Sequence, residues 1–249
     1  MCYNIAISLF LAMSEGDILS FLFETHFHTP YTSSCGKIYP EESIPLYIEN
    51  GYSGLVVTDH YHESFFEGQG QIPWREQARN FLLGYLRTKE FCKDKDFNVL
   101  LGMEIRFHDN CNDHLVYGAD EEFIYNNPRL DSLGFEKFSL LCRENGFFFL
   151  QAHPFRVGCV PREAKYLDGV EVYNGHPEHN NNNDKALNFA LQNNLLMTSG
   201  SDLHNPGQMC RGGMYLEERP STSKELASIL FNKRIEKLKV SDSFEVYGC

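Results

Sequence analysis

The chain has no C-x-x-C pair, although it carries cysteines at 2, 35, 92, 111, 142, 159, 210 and 249. That absence excludes zinc-ribbon and thioredoxin-like motifs, and the scattered thiols read as reduced and packed, which fits a cytoplasmic setting. Basic residues are also scarce: 22 Lys and Arg stand against 34 Asp and Glu, a net charge of −12. Such a surface repels polyphosphate and argues against duplex nucleic acid as the main ligand. A small phosphorylated substrate remains compatible, because bound cations invert the local field. No apolar run is long enough to span a membrane; the strongest, Ile5 to Met13, is too short. It lacks the Lys or Arg of a secretory leader, and Glu15 and Asp17 follow it, so residues 1–19 are expected to be an N-terminal extension. There is a single tryptophan and one low-complexity tract, Asn180 to Asn183, expected to form a polar loop before a helix.

What the chain does contain is a regular alternation. Short, near-continuous apolar runs fall at Phe21–Glu24, Gly54–Thr58, Val99–Glu104, Leu115–Gly118, Phe147–Gln151, Val170–Tyr173 and Leu195–Thr198. Runs of that kind fit strands buried on both faces, as in a parallel sheet covered by helices. Helical stretches are expected from Pro40 to Asn50, Trp74 to Lys93, Phe135 to Asn145, Asp184 to Asn193 and Ser223 to Asn232, with Gly51 and Gly146 as stops. Seven strands in a β-then-α order predict one domain over 20–249, as a closed or nearly closed α/β barrel. A doubly wound open sheet is the alternative.

The chemistry-bearing residues fall at the ends of these runs. FLFE is followed by His26 and His28, GLVVT by Asp59 and His60, VLLGM by Glu104, FFFLQ by His153, and LLMT by Asp202 and His204. In a parallel barrel those ends converge on one mouth. The i, i+2 spacing of His26 with His28, and of Asp202 with His204, puts each pair on one face of an extended backbone. Any H-x-H pair alone reads as surface or core histidines; five strand-end groups together reverse that reading. Imidazoles and carboxylates without a thiolate set suit Zn, Mn or Fe, and the number of candidate ligands exceeds what one ion needs. Two or three divalent ions are therefore expected, with hydrolysis by a metal-activated water as the chemistry.

As a set, His26-Phe27-His28-Thr29, Thr58-Asp59-His60, Gly102-Met103-Glu104, His153-Pro154 and Gly200-Ser201-Asp202-Leu203-His204 resemble the successive motifs of the PHP (polymerase and histidinol phosphatase) family. The resemblance runs from about Phe21 to His204. It implies a distorted (β/α)7 TIM-like barrel, a two- or three-metal site and phosphoesterase activity as a standalone domain. It also implies that His26, His28, Glu104 and Asp202 hold one ion, that Glu104 bridges to a second near His153, and that His60 with His204 serves a third. The chain departs from the pattern in three places. Glu24 stands where the family opens with Asp, and Cys35 falls closest to an early acid or histidine. The fourth strand supplies no histidine at its C-terminal end, where Asp120 and Glu121 follow; His114 precedes it.

Phosphate recognition needs cations, and Arg156 and Arg211 are the expected catalytic contacts, with Lys37 weaker. Asp59 is read as a ligand-orienting acceptor or a strand cap, and Glu171 and Asn174 as pocket lining. His62, His108, His176 and His179 are expected in solvent, Phe147–Phe149 in the core, and Trp74 packed on a helix. An amidohydrolase-type enzyme and a non-catalytic, metal-stabilised regulatory domain are the competing functions. The former would need a lysine at a mid-chain strand end and none stands there, which counts against it, while the missing early acid is the best support for the latter.

Overall fold

A computed structural model describes residues 20–240. The expected extension over 1–19, Cys2 and Cys249 lie outside the described residues. All seven expected strands are present: β1 (Phe21–Phe27), β2 (Tyr52–Val57), β4 (Asn98–Arg106), β5 (Asp113–Tyr117), β6 (Phe148–Gln151), β7 (Gly169–Asn174) and β8 (Leu196–Gly200). Three more join them: β3 (His60–Tyr61), β9 (Gly213–Leu216) and β10 (Ile235–Lys239). The sheet order is β10-β9-β1-β2-β4-β5-β6-β7-β8, with β3 paired to β4 off that path. It rolls into a nearly closed, distorted TIM-like barrel. A parallel bridge between Phe27 and Leu203, and a bond from Thr25 Oγ1 to the Ser199 carbonyl (2.7 Å), bring the β8 end against β1.

The all-parallel expectation is corrected at β5, which runs antiparallel to both β4 and β6. The cause is the short connection after Arg106: residues 107–112 cannot accommodate the dozen or more residues of a crossover. β9 likewise pairs antiparallel with β1 and β10.

The strands alternate two apolar faces, as a two-layer core requires. Phe23, Val56, Leu100, Leu115, Phe148 and Leu150 pack with Leu226, Ala227 and Leu230 of α8 (Ser223–Phe231). Their sequence neighbours Leu55, Val57, Val99, Leu101, Val116 and Phe149 face the outer layer. Helix α8 therefore closes the barrel end opposite the mouth, and Ser223 Oγ anchors it by accepting from Gly118 N at the far end of β5 (2.7 Å). Phe147–Phe149 are core, as expected.

Helix α1 (Pro40–Glu49) begins on Pro40 and α6 (Phe135–Asn145) stops on Gly146 at φ 68°, as the sequence signals require. Two short helices, α2 (Glu63–Glu67) and α5 (Glu121–Asn126), were not expected, and α7 spans Asn183–Asn193. The stretch expected as one helix from Trp74 to Lys93 is two, α3 (Trp74–Phe81) and α4 (Leu83–Cys92). Thr32, from the loop after β1, separates them: its Oγ1 donates to the Phe81 carbonyl (3.1 Å) and accepts from Gly84 N (3.2 Å). A side chain inserted into the helical ladder breaks it there.

Gly84 lets α4 approach the mouth. A Cβ at this position would stand 2.1 Å from Asp59 Oδ2 and 2.2 Å from Thr29 Oγ1. Helix propensity alone would make Gly84→Ala stabilising by about 1 kcal/mol. The close approach reverses the sign, and we expect a loss of about 1–3 kcal/mol in urea unfolding. A variant as stable as the parent would show that this packing is not tight.

Candidate metal centre

The strand ends meet as the sequence pattern requires. His26, His28, Glu104 and Asp202 are each at most 1% exposed. His26 Nε2 lies 3.3 Å from Glu104 Oε1 and 3.5 Å from Asp202 Oδ1. His28 Nε2 lies 3.4 Å from Glu104 Oε2 and 3.3 Å from Asp202 Oδ1. Both Nε2 atoms are buried without a hydrogen-bond partner. Donors about 2.1 Å from a shared ion are spaced about 3.0 Å apart at the corners of an octahedron and about 3.4 Å apart at those of a tetrahedron. The observed edges fit a divalent ion, which would also satisfy two buried nitrogens that make no hydrogen bond.

Glu104 faces more than one set. Its Oε1 is 3.1 Å from His153 Nε2, and its Oε2 is 2.9 Å from His60 Nε2, across the β3–β4 pairing that sets His60 beside Glu104. His204 Nδ1 is 3.3 Å from Asp202 Oδ1. His28 lies 4.4 Å from His60 and 4.5 Å from His204 between ring centroids. All seven expected ligands therefore meet at one mouth. Five of them, His60, Glu104, His153, Asp202 and His204, line a cavity of about 260 Å³.

Carboxylates brace these side chains from behind. Glu171 Oε1 is 2.9 Å from His26 Nδ1, so Nδ1 carries the proton and Nε2 faces the mouth; Glu171 Oε2 accepts from His153 N (3.0 Å). Asp59 accepts from Thr29 N, Thr29 Oγ1 and Ser33 Oγ, each at 2.7 Å, and Ser33 Oγ accepts from His60 N (3.0 Å). Glu24 Oε1 accepts from the backbone of Thr25, His26 and Ser201, tying β1 to the loop after β8. Backbone strain collects here too: His153 and Asp202 hold φ of 29° and 56°.

Burial sets the charge states, checked by neighbours. Burial penalises the His26 cation, but Asp202, Glu171 and Glu104 outweigh it and raise its pKa. Burial, with His60 and His204, lowers that of His28 and leaves a neutral imidazole. Asp202 and Glu104 are held well below the usual carboxylate range: burial opposes ionisation, and His26 leads the groups that overcome it. Burial raises the Cys35 thiol, but hydrogen bonds with His204 and His60 bring it down to about 6.

The two expected phosphate contacts separate. Arg156 reaches the mouth, with Nη2 2.5 Å from Asp202 Oδ2 and Nε 2.8 Å from Asn181 Oδ1. Arg211 instead lines a second cavity of about 330 Å³ and donates from Nε to the Gly175 carbonyl (2.7 Å). Lys37 is exposed and bonds the Ser34 carbonyl. The asparagine tract holds Arg156 through Asn181 and α7 to β7 through Asn183.

Several expectations need correction. His62 is buried, stacked 4.3 Å from His60, because α2 turns the chain over it. His176 is buried against His179 and Gln208. Asp120 caps α5 and does not reach the mouth; His114 packs among Phe107, Phe135 and Phe149, where burial pushes its pKa down to about 3. The residue missed was Asp113. Because β5 is inverted, its first residue opens on the mouth. Asp113 is gripped by Arg106 (2.7 and 2.6 Å), with His62 at 3.2 Å and His153 at 3.9 Å.

No protein-family model matches the chain, and no curated protein matches it. Solved structures do. A two-domain protein from Bacteroides vulgatus, containing a predicted PHP-like metal-dependent phosphoesterase, aligns at TM-score 0.63 and 16% identity over 90% of this chain and 66% of that one. PsfC from Pseudomonas syringae aligns at TM-score 0.58 and 15% identity, covering 86% and 98%. The lesion-specific endonuclease PfuEndoQ from Pyrococcus furiosus aligns at 0.57 and 13%, covering 88% and 58%. The chain thus spans just under two thirds of the Bacteroides protein and 58% of the Pyrococcus one. At these identities the likeness is one of fold.

Glu24 offers a test in metal-free protein. Burial, opposed by the hydrogen bonds from Ser201 and His26, pushes its pKa from 4.5 up to about 7. The folded state thus keeps the proton longer than the unfolded one. Stability that is full below about pH 4.5 is lost as pH climbs through about 7, on the order of 3 kcal/mol. Glu24→Gln keeps an acceptor for the backbone donors and can donate to the Tyr47 hydroxyl, which now bonds Glu24 Oε2. Urea unfolding with chelator present should favour the variant increasingly from about pH 5 to about pH 8. A pH-independent gap would refute the assignment.

Proposed function

We propose that the chain is a metal-dependent phosphoesterase acting on a small phosphorylated metabolite or nucleotide. The reading rests on one observation: Glu104 divides its two oxygens between His26 with His153 and His28 with His60, at the base of a cavity that Arg106 and Arg156 also line. His26, His28, Glu104 and Asp202 would hold one ion, His153 a second with Glu104, and His60 with His204 a further one. Bound there, divalent ions such as Zn, Mn or Fe would activate water for attack on phosphorus and neutralise charge on the phosphate oxygens.

The side chains supply the rest. Arg156 places a guanidinium above Asp202, with Nε held by Asn181 and Nη2 by Asp202 and Asn174, so that Nη1 is the donor it would offer to a non-bridging phosphate oxygen. Asn174 and Asn181 orient it through 3.1 and 2.8 Å contacts, and Arg106 offers a second cation at the same cavity. Glu171 holds the His26 proton on Nδ1 and so keeps Nε2 turned to the mouth. A cavity near 260 Å³ suits a phosphate group with a compact substituent. No lysine is among the residues lining it, which favours a phosphoesterase over an amidohydrolase-type centre. Among the described residues no helix is long and apolar enough to cross a membrane, and we read the chain as acting in the cytoplasm.

Metal-replete protein should hydrolyse an aryl phosphate, and chelation should stop it. Asp202→Asn should abolish measurable turnover, whereas Glu171→Gln should cost about 10–100-fold in activity or metal affinity. Arg156→Ala should raise KM for the phosphoester by a larger factor than it lowers metal affinity. If the metal-replete protein cleaves no phosphomonoester or diester, the enzymatic reading fails. Loss of folding on Asp202→Ala would then favour a structural metal site.

A further inference from the structure

Two cysteines depart from the packed thiols that the sequence suggests. Cys92 and Cys142 are buried, whereas Cys111 is exposed and Cys159 half-buried. These two lie 48 residues apart in the chain and against each other in the fold. Cys111 Sγ donates to the Gly158 carbonyl (2.7 Å), part of the peptide that precedes Cys159, and Cys159 Sγ lies 4.0 Å from the Cys111 carbonyl. Each sulfur therefore meets the main chain beside the other. A disulfide spans about 4.4–6.8 Å between Cα atoms, so it forms only where two segments already lie side by side. Here the segments are fastened around the pair. Asn112 accepts from Val160 N (2.9 Å) and donates to the Val160 carbonyl (2.7 Å), and Arg162 Nη2 donates to both Asp109 oxygens (2.7 and 2.6 Å). Gly158 turns the chain at φ 94°, and Cys159 N bonds the Arg156 carbonyl (2.8 Å).

We propose that Cys111 and Cys159 are an oxidation site, where a reversible intrachain disulfide staples the β4–β5 connection to the loop after β6 at the edge of the mouth. Arg106 and Asp113 flank residues 107–112, His153 and Arg156 lead into Cys159, and all four line the mouth cavity. The staple thus holds the two segments that carry the arginines of the mouth, and it stands whether or not the mouth hydrolyses phosphoesters. The oxidant it needs is a small disulfide such as glutathione disulfide. Cys111, the exposed thiol, meets that oxidant first. Burial, and then the neighbouring Cys111 thiol, raise Cys159 to about 11, so Cys159 attacks second. The Cys111 thiolate displaces one glutathione thiolate and forms a mixed disulfide; Cys159 then displaces the other. Two cysteine thiols become one disulfide, and their two protons end on the two glutathione thiols released. In a reducing compartment such a bond is a transient, redox-sensing one.

The reduced full chain treated with glutathione disulfide tests this without reference to turnover. Remaining thiols are blocked with N-ethylmaleimide, and the tryptic peptides are read by mass. Cleavage after Arg106, Arg129, Arg156 and Arg162 leaves Cys111 and Cys159 as the sole cysteines of residues 107–129 and 157–162. The parent should give these two peptides joined, two hydrogens lighter than their sum, and dithiothreitol should separate them. Amide hydrogen exchange across 107–112 and 154–162 should slow on oxidation and recover on reduction. Cys159→Ser should instead keep glutathione on Cys111 and give no linked peptide, while Cys35→Ser should form the link as the parent does. A parent that carries only glutathione adducts, or that joins either cysteine to a third thiol, overturns the proposal. So does a link that leaves exchange in both segments unchanged.

Discussion

Burying Glu104 and Asp202 side by side with a cluster of imidazoles is the constraint on which the rest of the mouth depends. Carboxylates and imidazoles removed from water cost several kcal/mol each unless their charges and hydrogen-bonding capacity are answered. The barrel answers them in two ways. On the open side, His26 and His28 turn their Nε2 atoms toward the acids. On the closed side, Glu171, Asp59 and Glu24 occupy the remaining donors. Removing any of these backing groups would leave a buried donor unpaired, a penalty of about 1–3 kcal/mol before any effect on chemistry.

The alternation of apolar runs made the seven strands and the barrel legible, and the residues after each run made the mouth legible. Both follow from one rule: parallel strands buried on two faces read as continuous apolar runs and deliver their C-terminal ends to one side. The rule fails where a strand is inverted. Asp113 was overlooked because LVYG was treated as parallel, so its C-terminal neighbours Asp120 and Glu121 were considered first. The signal was nevertheless present. Only six residues, 107–112, separate β4 from β5, and a connection of that length admits a hairpin but no crossover.

The backing residues were less legible for a different reason. Glu24 and Glu171 lie inside strands, and a carboxylate there looks the same in sequence whether it meets solvent or supports a ligand. Its role depends on which backbone groups another strand brings near it, as Ser201 N is brought to Glu24 from across the chain. The asparagine tract shows the same limit. Nothing in four consecutive asparagines indicates that Asn181 will orient Arg156 or that Asn183 will accept from Asn174 N.

Glu171 also links side chains of the mouth that belong to different strands. One oxygen receives the His26 Nδ1 proton and the other receives His153 N, at a residue held in the left-handed region at φ 29°. A backbone in that region costs on the order of 1–3 kcal/mol, so it persists only where several contacts fix it. Asp202, at φ 56°, is fixed similarly by Ser201 N on Glu24, by Leu203 N on the His26 carbonyl, and by Arg156. Gly200 completes the fit, since a Cβ there would stand 2.4 Å from the His26 Cβ. The inner set is therefore built as one rigid unit, in which displacing either strained residue moves its partners. The rim differs: the His60 and His204 side chains are 24% and 13% exposed, and Cys35 lies on a loop. The inner geometry is therefore held from more sides than the rim.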